Sequence, residues 1–413
     1  MLGGNMNGTA RLTVAIVGAG VSGCYAAQML SRALPAAEIT VIERLPVPYG
    51  LLRYGVAADH QGTKGVQQQF ERLFAAGKAR LVGGLTIGKD ISLVQLQQWF
   101  DVVILATGLA GDRRLAVPGE ALPGVIGSGR LTRALNSHPD EVASTPVLAQ
   151  EVAVVGAGNV ALDIVRLLAR HNGEWQGSDM DSRVLAGILP KPVTRVHLVV
   201  RGKPHEVRWD AAMLRELAGL ARPQLKIAAF AGSDEPSRIW EILGLPGYRT
   251  PSEAQAVLSA MPIHLYFDTQ IEQVLGEQSV QALRLRLADG RQQEVQVGSV
   301  VTAIGFEAQP AAEVASAASL ACPGVYRTGW LQTGPNGAIA RQRELAAELA
   351  GEITNDWTSG RLRTGRPGFA ALPDALGYSA WQQIDAAERA CAEPGRIRRK
   401  CVSVAEMLAQ VAR

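Results

Sequence analysis

The chain has 413 residues, 41 lysines and arginines against 38 aspartates and glutamates, 47% hydrophobic residues and 44 glycines. That length exceeds one hydrophobic core and predicts two domains, while a formal net charge of +3 argues against nucleic acid as the main partner. A mean hydropathy of +0.07, the lack of any apolar run of membrane-spanning length, and a start from Met1 to Thr13 with one arginine and no apolar signal segment predict a cytoplasmic α/β protein.

The first elements already carry chemistry. Leu12-Thr13-Val14-Ala15-Ile16-Val17 reads as a buried parallel strand, Gly18-Ala19-Gly20-Val21-Ser22-Gly23 as a glycine turn, and Val21 to Leu34 as the helix that follows. Gly18 permits the tight bend, Gly20 lets the backbone approach a pyrophosphate at the helix N-terminus, and Gly23 lets the helix pack close to the strand. The next strand, Ile39 to Ile42, ends in Glu43, about 20 residues beyond the turn, where a carboxylate accepts ribose hydroxyls. An unphosphorylated adenine ribose is implied, and FAD fits it. Val102-Val103-Ile104-Leu105-Ala106-Thr107-Gly108 closes this unit as a strand whose final glycine lets the chain pass close to a cofactor.

A second copy of the pattern follows. Gly156-Ala157-Gly158-Asn159-Val160-Ala161 comes after the strand Val152 to Val155 and opens a helix from Val160 to Arg170; alanine is allowed at its last position. Asn159 and Asp163 add polar groups there. The strand Val196 to Val200 then ends in Arg201 rather than an acid. A guanidinium can hold a ribose 2′-phosphate by two parallel hydrogen bonds, which favours NADPH over NADH. Asp210 is placed to cap a helix reaching Arg222 and stopped by Pro223, with Arg215 and Arg222 on one face and Arg208 just before the cap.

Val300-Val301-Thr302-Ala303-Ile304-Gly305 nearly copies the stretch at 102–108, so the two read as crossover points bracketing an inserted domain. Residues 1–107 and 303–413 would form an FAD-binding domain and 108–302 an NAD(P)-binding domain. Thr364 to Gly368 reads as a linker, and from about residue 365 a helical extension carries short helical patterns at Trp381–Ala392 and Val402–Val411. Arg396, Arg398, Arg399 and Lys400 make a basic run within it. Such runs are commonly solvated charge, but beside an acidic electron carrier they read as a docking surface. The four cysteines, Cys24, Cys322, Cys391 and Cys401, are scattered. Their spacing excludes a Cys-x-x-Cys redox pair and a resident iron–sulfur cluster, so electrons must leave a flavin directly for an external acceptor.

Three longer segments carry a family likeness: Gly50-Leu51-Leu52-Arg53-Tyr54-Gly55-Val56-Ala57-Ala58-Asp59-His60, Gly156 to Asp163, and Gly329-Trp330-Leu331-Gln332-Thr333-Gly334-Pro335-Asn336-Gly337-Ala338-Ile339. Through them the chain resembles the adrenodoxin-reductase-like branch of ferredoxin–NADP reductases over nearly its whole length. The resemblance implies a two-dinucleotide-binding-domain flavoprotein, with two Rossmann-like domains and the NAD(P) domain inserted in the FAD domain. It implies FAD contacts at Gly50, Leu51, Arg53, Val56, Ala106, Gly108, Trp330, Gly337 and Ile339, beside Gly18, Gly20, Gly23 and Glu43. NADP contacts are implied at Gly156, Gly158, Asn159, Val160, Arg201 and Lys203. His60, Asp59, Asp163 and Glu216 are carried over as the residues near the meeting point of flavin and nicotinamide.

Physical chemistry stands beside each of these assignments. Gly334, Pro335 and Gly337 offer backbone that can approach a flavin ring without a side-chain clash. Trp330 can pack on the ring or its ribityl chain, or serve as a core aromatic. Asp59 and His60 put a carboxylate and a titratable imidazole together where protons accompany hydride. The chain also departs from the family pattern. Arg201-Gly202-Lys203 stands where relatives have two successive arginines, Met213 stands where a glutamate is usual, and Ala58 replaces a proline. NADPH preference is therefore conditional and NADH remains possible.

The implied activity is hydride transfer from NADPH to FAD, then single electrons to an adrenodoxin-like [2Fe–2S] ferredoxin serving an oxygenase or biosynthetic pathway. Arg208, Arg215 and Arg238 would line its docking surface. An alternative is an FAD-dependent NAD(P)H oxidoreductase or monooxygenase acting on a small molecule, although the aromatic–histidine fingerprint of such monooxygenases is missing between the two turns. A nucleotide-binding regulatory subunit with a silent flavin site is a further alternative, against which Asp59, His60 and Asp163 argue.

Overall fold

The structure is a computed structural model that describes residues 11–142, 144–207, 209–220, 223–229, 261–307, 322–335 and 339–412. Its first strands are β1 (Thr13–Val17), β2 (Glu38–Glu43), β3 (Arg80–Gly83) and β4 (Val102–Leu105), β-branched residues predominating in β1, β2 and β4. β1 and β4 are buried at every position, as strands covered on both faces must be. After β4 the chain leaves this sheet through β5 (Gly111–Asp112).

A second parallel sheet is built from β6 (Val125–Gly127), β7 (Glu151–Val155), β8 (Arg195–Val199), β9 (Pro223–Ala229) and β10 (Met261–Tyr266). An antiparallel meander follows, β11 (Gln270–Leu275), β12 (Ala282–Arg286) and β13 (Gln292–Gln296), before β14 (Ser299–Thr302) returns to give the order β6-β14-β7-β8-β10-β9. β15 (Phe306–Glu307) then pairs antiparallel with β5, so the outgoing and returning chains form one two-stranded link. Finally β16 (Val325–Arg327) completes the first sheet in the order β16-β4-β1-β2-β3.

The helix after the first turn spans Val21–Ala33 and the one after the second Asn159–Ala169. The helix capped by Asp210 is shorter than its sequence pattern, running from Ala211 to Gly219. Leu220 is already extended at φ −69° and ψ 152°. Pro223 opens β9, and a proline disfavours helical backbone just before it. Arg222, Arg208 and Arg238 lie outside the described residues. A 20-residue helix, Ile339–Thr358, was not expected; it packs on the first glycine-turn helix, where the Ser22 hydroxyl donates to Gln342 Oε1 at 2.8 Å.

The C-terminal extension reaches both units. Trp381, on the helix Tyr378–Ala390, is buried edge-on against Tyr49 with ring centroids 5.7 Å apart. Farther along, Gly177 N donates to Gly395 O at 2.8 Å and Ile397 N to Ser178 O at 3.0 Å. Two of the four cations in the basic run are therefore not available to the docking surface expected of it. Arg398 and Lys400 are 5% and 2% exposed, because Asp385, Glu388 and Asp179 draw them inward.

One buried histidine sets a pH dependence for this fold. His197 on β8 is 4% exposed, with neither ring nitrogen hydrogen-bonded among the described residues. Burial, helped by His264 and Arg195, lowers its pKa to about 4. The folded state thus disfavours the charged ring, and this stabilisation is complete above the unfolded value and lost as pH falls from about 6.5 towards about 4. Between pH 7 and about pH 5 the loss is about 2 kcal/mol. Urea midpoints should fall over that range, and His197→Phe should flatten the slope; an unchanged slope would show that the ring is not held neutral.

Candidate active site at the meeting of the two units

Each glycine turn divides its residues between folding and binding. Gly18 has φ +105°, and a Cβ there would lie 2.6 Å from Ala106 O; a Cβ on Gly23 would lie 2.0 Å from Gly18 O. Gly20 differs, since a Cβ would meet nothing within 4 Å. The second turn repeats the arrangement, with Gly156 at φ +148° and 2.2 Å from Ala303 O, and open space at Gly158. Both open positions sit at a helix N-terminus, where backbone N–H groups and the helix dipole favour phosphate oxygens. These cradles fit one dinucleotide each.

Around the first cradle, Gly50 at φ +45° comes so close that its Cβ would be 3.1 Å from Gly20 Cα. Glu43 Oε2 accepts from Ala19 N at 2.9 Å and Oε1 from Leu45 N at 3.2 Å. Burial pushes this carboxyl above its ordinary value despite the two donors. It braces the turn, and its remaining lone pairs are what a ribose would meet. Ala106 joins the sheet through Val17 O at 2.9 Å, while Gly108 has φ +69° with open space at its Cβ. Leu51 O accepts from both Gly55 N and Val56 N, which closes the segment into a turn. The Arg53 guanidinium turns away from the cradle to Glu388, at 2.5 Å, so the backbone of Arg53 is what is left to serve FAD. Trp330 stacks on Phe306 with centroids 5.3 Å apart, a partner sequence reading missed. Ile339 packs half-buried on the first core, and Gly337 lies outside the described residues.

At the second cradle, Asn159 Oδ1 accepts from Asp210 N at 2.9 Å, and Asp210 in turn caps Ala212 N and Met213 N. The turn is thereby tied to the helix that carries Glu216. Val160, Arg201 and Lys203 are exposed. Glu206 was not anticipated; its Oε2 accepts from Lys203 N at 2.8 Å and places an acid beside the two cations.

Between the cradles lies a charged cluster. Ala57 and Ala58 of the first unit are buried in the core of the second, and this plug delivers Asp59 and His60 to the helix Asn159–Ala169. Gln61 Nε2 and Asp179 N both donate to Ala58 O, at 2.6 and 3.0 Å, so the turn is held without a proline. His60 Nε2 lies 3.2 Å from Glu216 Oε2 and its Nδ1 3.6 Å from Asp163 Oδ1. All four carried-over residues are thus together.

Two arginines to which the sequence assigned no role organise them. Fully buried Arg166 donates to Asp59, to Asp163 at 2.8 Å and to Glu216 at 2.9 Å, and Arg170 reaches Asp59 at 2.5 Å and Glu216 at 2.9 Å. Their spacing of three and seven residues from Asp163 puts them on its helix face, which was the available signal. Burial raises the Asp59 carboxyl, but the Arg166 hydrogen bond and the charges of Arg166 and Arg170 outweigh it and hold the group low. At Asp163 burial wins over Arg166, and the carboxyl is raised. Neighbouring carboxylates pushed in opposite directions are suited to different tasks, one a fixed anion and the other a proton carrier. Asp59, His60 and Glu216 also bring ligand atoms within 4.8 Å of one another, but with both guanidiniums on the same oxygens they make an ion-pair and proton site rather than a cation site.

Residues 12–203 match the family model for pyridine nucleotide-disulphide oxidoreductases. The cindoxin reductase of Citrobacter braakii is 37% identical, over 96% of this chain and 90% of that protein. Human mitochondrial NADPH:adrenodoxin oxidoreductase is 30% identical, over 96% of this chain and 91% of its own. Among solved structures, Mycobacterium tuberculosis FprA in complex with NADPH superposes with a TM-score of 0.86 at 26% identity, covering 97% of this chain and 99% of that one.

Proposed function

The chain belongs to the adrenodoxin-reductase-like family of ferredoxin–NADP reductases, and on that footing we propose that it is an FAD enzyme passing electrons from NADPH to a ferredoxin-type iron–sulfur protein. The observation that carries this is the pair of open glycine cradles with the charged cluster between them. When bound, FAD supplies a two-electron acceptor for hydride and a source of single electrons for a one-electron cluster. Residues 1–107 with 303–413 are the FAD-binding part and 108–302 the NADP-binding part.

Within this reading the chain's own groups divide the work. Gly18, Gly20, Gly23 and Glu43 hold the adenosine pyrophosphate of FAD, and Gly156, Gly158, Asn159 and Val160 hold that of NADPH. His60 can move a proton between Asp163 and Glu216, its two ring nitrogens facing those carboxylates. Arg166 and Arg170 fix the carboxylates and keep Asp59 ionised. Ala57 and Ala58 close the seam between the units and keep water from it.

Exposed Arg201 and Lys203 bind the 2′-phosphate. Arg201→Ala should raise KM for NADPH roughly 10- to 100-fold, the worth of a hydrogen bond to a charged group, with NADH unaffected. Steady-state assays with both nucleotides check this, and equal effects on the two would remove Arg201 from the 2′-phosphate site. Arg215 offers rim charge for an acidic partner, and the sequence adds Arg208 and Arg238, outside the described residues.

The direct test is anaerobic stopped-flow mixing of FAD-loaded protein with NADPH and, in parallel, NADH, followed by a [2Fe–2S] ferredoxin. NADPH should bleach the flavin faster, the ferredoxin should reoxidise it, and that second rate should fall steeply with salt. Reduced flavin that cannot reduce any ferredoxin would overturn the assignment, and a salt-independent rate would remove the basic docking surface.

A further inference from the structure

Away from both cradles, the C-terminal extension walls a half-open cavity of about 170 Å³ against the two units. A single water needs on the order of a tenth of that space. Arg53, Lys64, Asp179, Arg389, Arg398 and Lys400 all line it. Among the described residues these five cations make their ion pairs with three carboxylates, each shared by two of them, and Glu71 acts on Arg389 and Arg398 from farther off. Asp179 takes Lys64 and Lys400, both at 2.9 Å. Glu388 takes Arg53 at 2.5 Å and Arg398 at 3.3 Å, and Asp385 takes Arg398 at 2.5 Å and Arg389 at 2.8 Å.

Most of these cations are out of water. Lys64, Arg53, Arg398 and Lys400 are each no more than 5% exposed. Arg53 Nε is buried without a hydrogen-bond partner among the described residues. An uncompensated charge in such a place costs several kcal/mol or drives off a proton. Burial, against the pull of Asp179 and with Lys64 and Arg53 as like-charged neighbours, holds the Lys400 ammonium well below its ordinary value. Three glutamines, Gln61, Gln67 and Gln68, complete the wall; Gln61 Nε2 already donates to Ala58 O and Gln67 Nε2 to Glu71.

We propose that this cavity is a binding site for a phosphate-class dianion, held by Lys64, Lys400, Arg53, Arg398 and Arg389 between the two nucleotide units and the C-terminal extension. A dianion matches the surplus of cations, and tetrahedral oxygens suit both the guanidinium forks and the two ammonium groups. It is separate from the nucleotide phosphates, whose cradles lie at the glycine turns. Because Asp179 N also donates to Ala58 O and Gln61 follows His60 directly, an anion here clamps the two units together beside the reactive cluster.

The test uses the full-length, FAD-loaded protein saturated with NADP+, so that the cradles are already filled. Inorganic orthophosphate is titrated calorimetrically and in thermal melts, with chloride at equal ionic strength as control and glycerol 3-phosphate as a second arm. One equivalent of orthophosphate should bind saturably and raise the melting temperature beyond the chloride effect. Arg389→Gln should weaken that binding at least tenfold, and Gln68→Glu, which sets a carboxylate on the cavity wall, should abolish it while raising the melting temperature without phosphate. Uptake of glycerol 3-phosphate as well would identify a phosphorylated small molecule as the source, and its rejection would identify free phosphate. A response no larger than that to chloride, or binding unchanged in both variants, overturns the site.

Discussion

Gly20→Val is expected to give a folded protein without flavin, and Gly158→Val a folded, yellow protein that NADPH no longer reduces. The backbone of both residues is extended, at φ −72°, ψ −175° and φ −98°, ψ 170°, a region that valine favours. Neither Cβ would touch anything within 4 Å, so the cost to folding is small, about 0.5 kcal/mol or less. The isopropyl group instead fills the space left for a pyrophosphate. Affinity for the matching dinucleotide should fall at least a hundredfold, about 2.7 kcal/mol. Gly23→Val is the contrasting control, because its Cβ would sit 2.0 Å from Gly18 O and the first unit should not fold. Flavin absorbance per protein, the melting curve and the rate of bleaching by NADPH separate these outcomes. A flavin-loaded Gly20→Val protein would show that the first open position is not the pyrophosphate cradle.

The second large effect is expected at Arg166. Its guanidinium is fully buried and serves Asp59, Asp163 and Glu216 at once, so Arg166→Met leaves several acids against one remaining arginine. Breaking a buried ionic group this way costs about 3–5 kcal/mol. The deficit should depend on pH in a definite direction. In the native protein the depressed Asp59 pKa contributes stability that is present above the unfolded carboxylate value and lost as pH falls through the folded one. Without Arg166, burial acts with less opposition and raises the folded pKa, so the ionised form becomes the costly one. Arg166→Met should therefore be worst near neutrality and recover part of its stability towards about pH 5. Reduction of flavin by NADPH should slow at least tenfold, because Asp163 and Glu216 lose their positions around His60. Denaturant melts at several pH values check the first claim. A variant equally stable at all of them would mean that the acids are not held by Arg166.

Much of this was legible in the chain itself. The strands before each glycine turn, the helices after them and the special positions Gly18 and Gly156 follow from periodicity and steric rules that act within a few residues. Even the carried-over His60, Asp59, Asp163 and Glu216 come together in space. Their organisers, Arg166 and Arg170, were visible only as helical spacing until Asp59 arrived from 107 residues away. Where local rules met longer-range packing, packing won: Arg398 and Lys400 turn inward although their run is as basic as any surface strip. The helix Ile339–Thr358 and the meander β11–β13 have no motif to announce them, and their positions depend on partners elsewhere in the chain.

The sequence by itself determined the two glycine turns and the family, since each is written in contiguous stretches whose stereochemistry is local. Only the tertiary structure decided which charges are satisfied, which glycine faces open space, and that the C-terminal extension is a seam between the units. The physical reason is that desolvation depends on everything packed around a group. A cation is worth little in water and a great deal beside a buried carboxylate, and the chain's order does not say which of these it will meet.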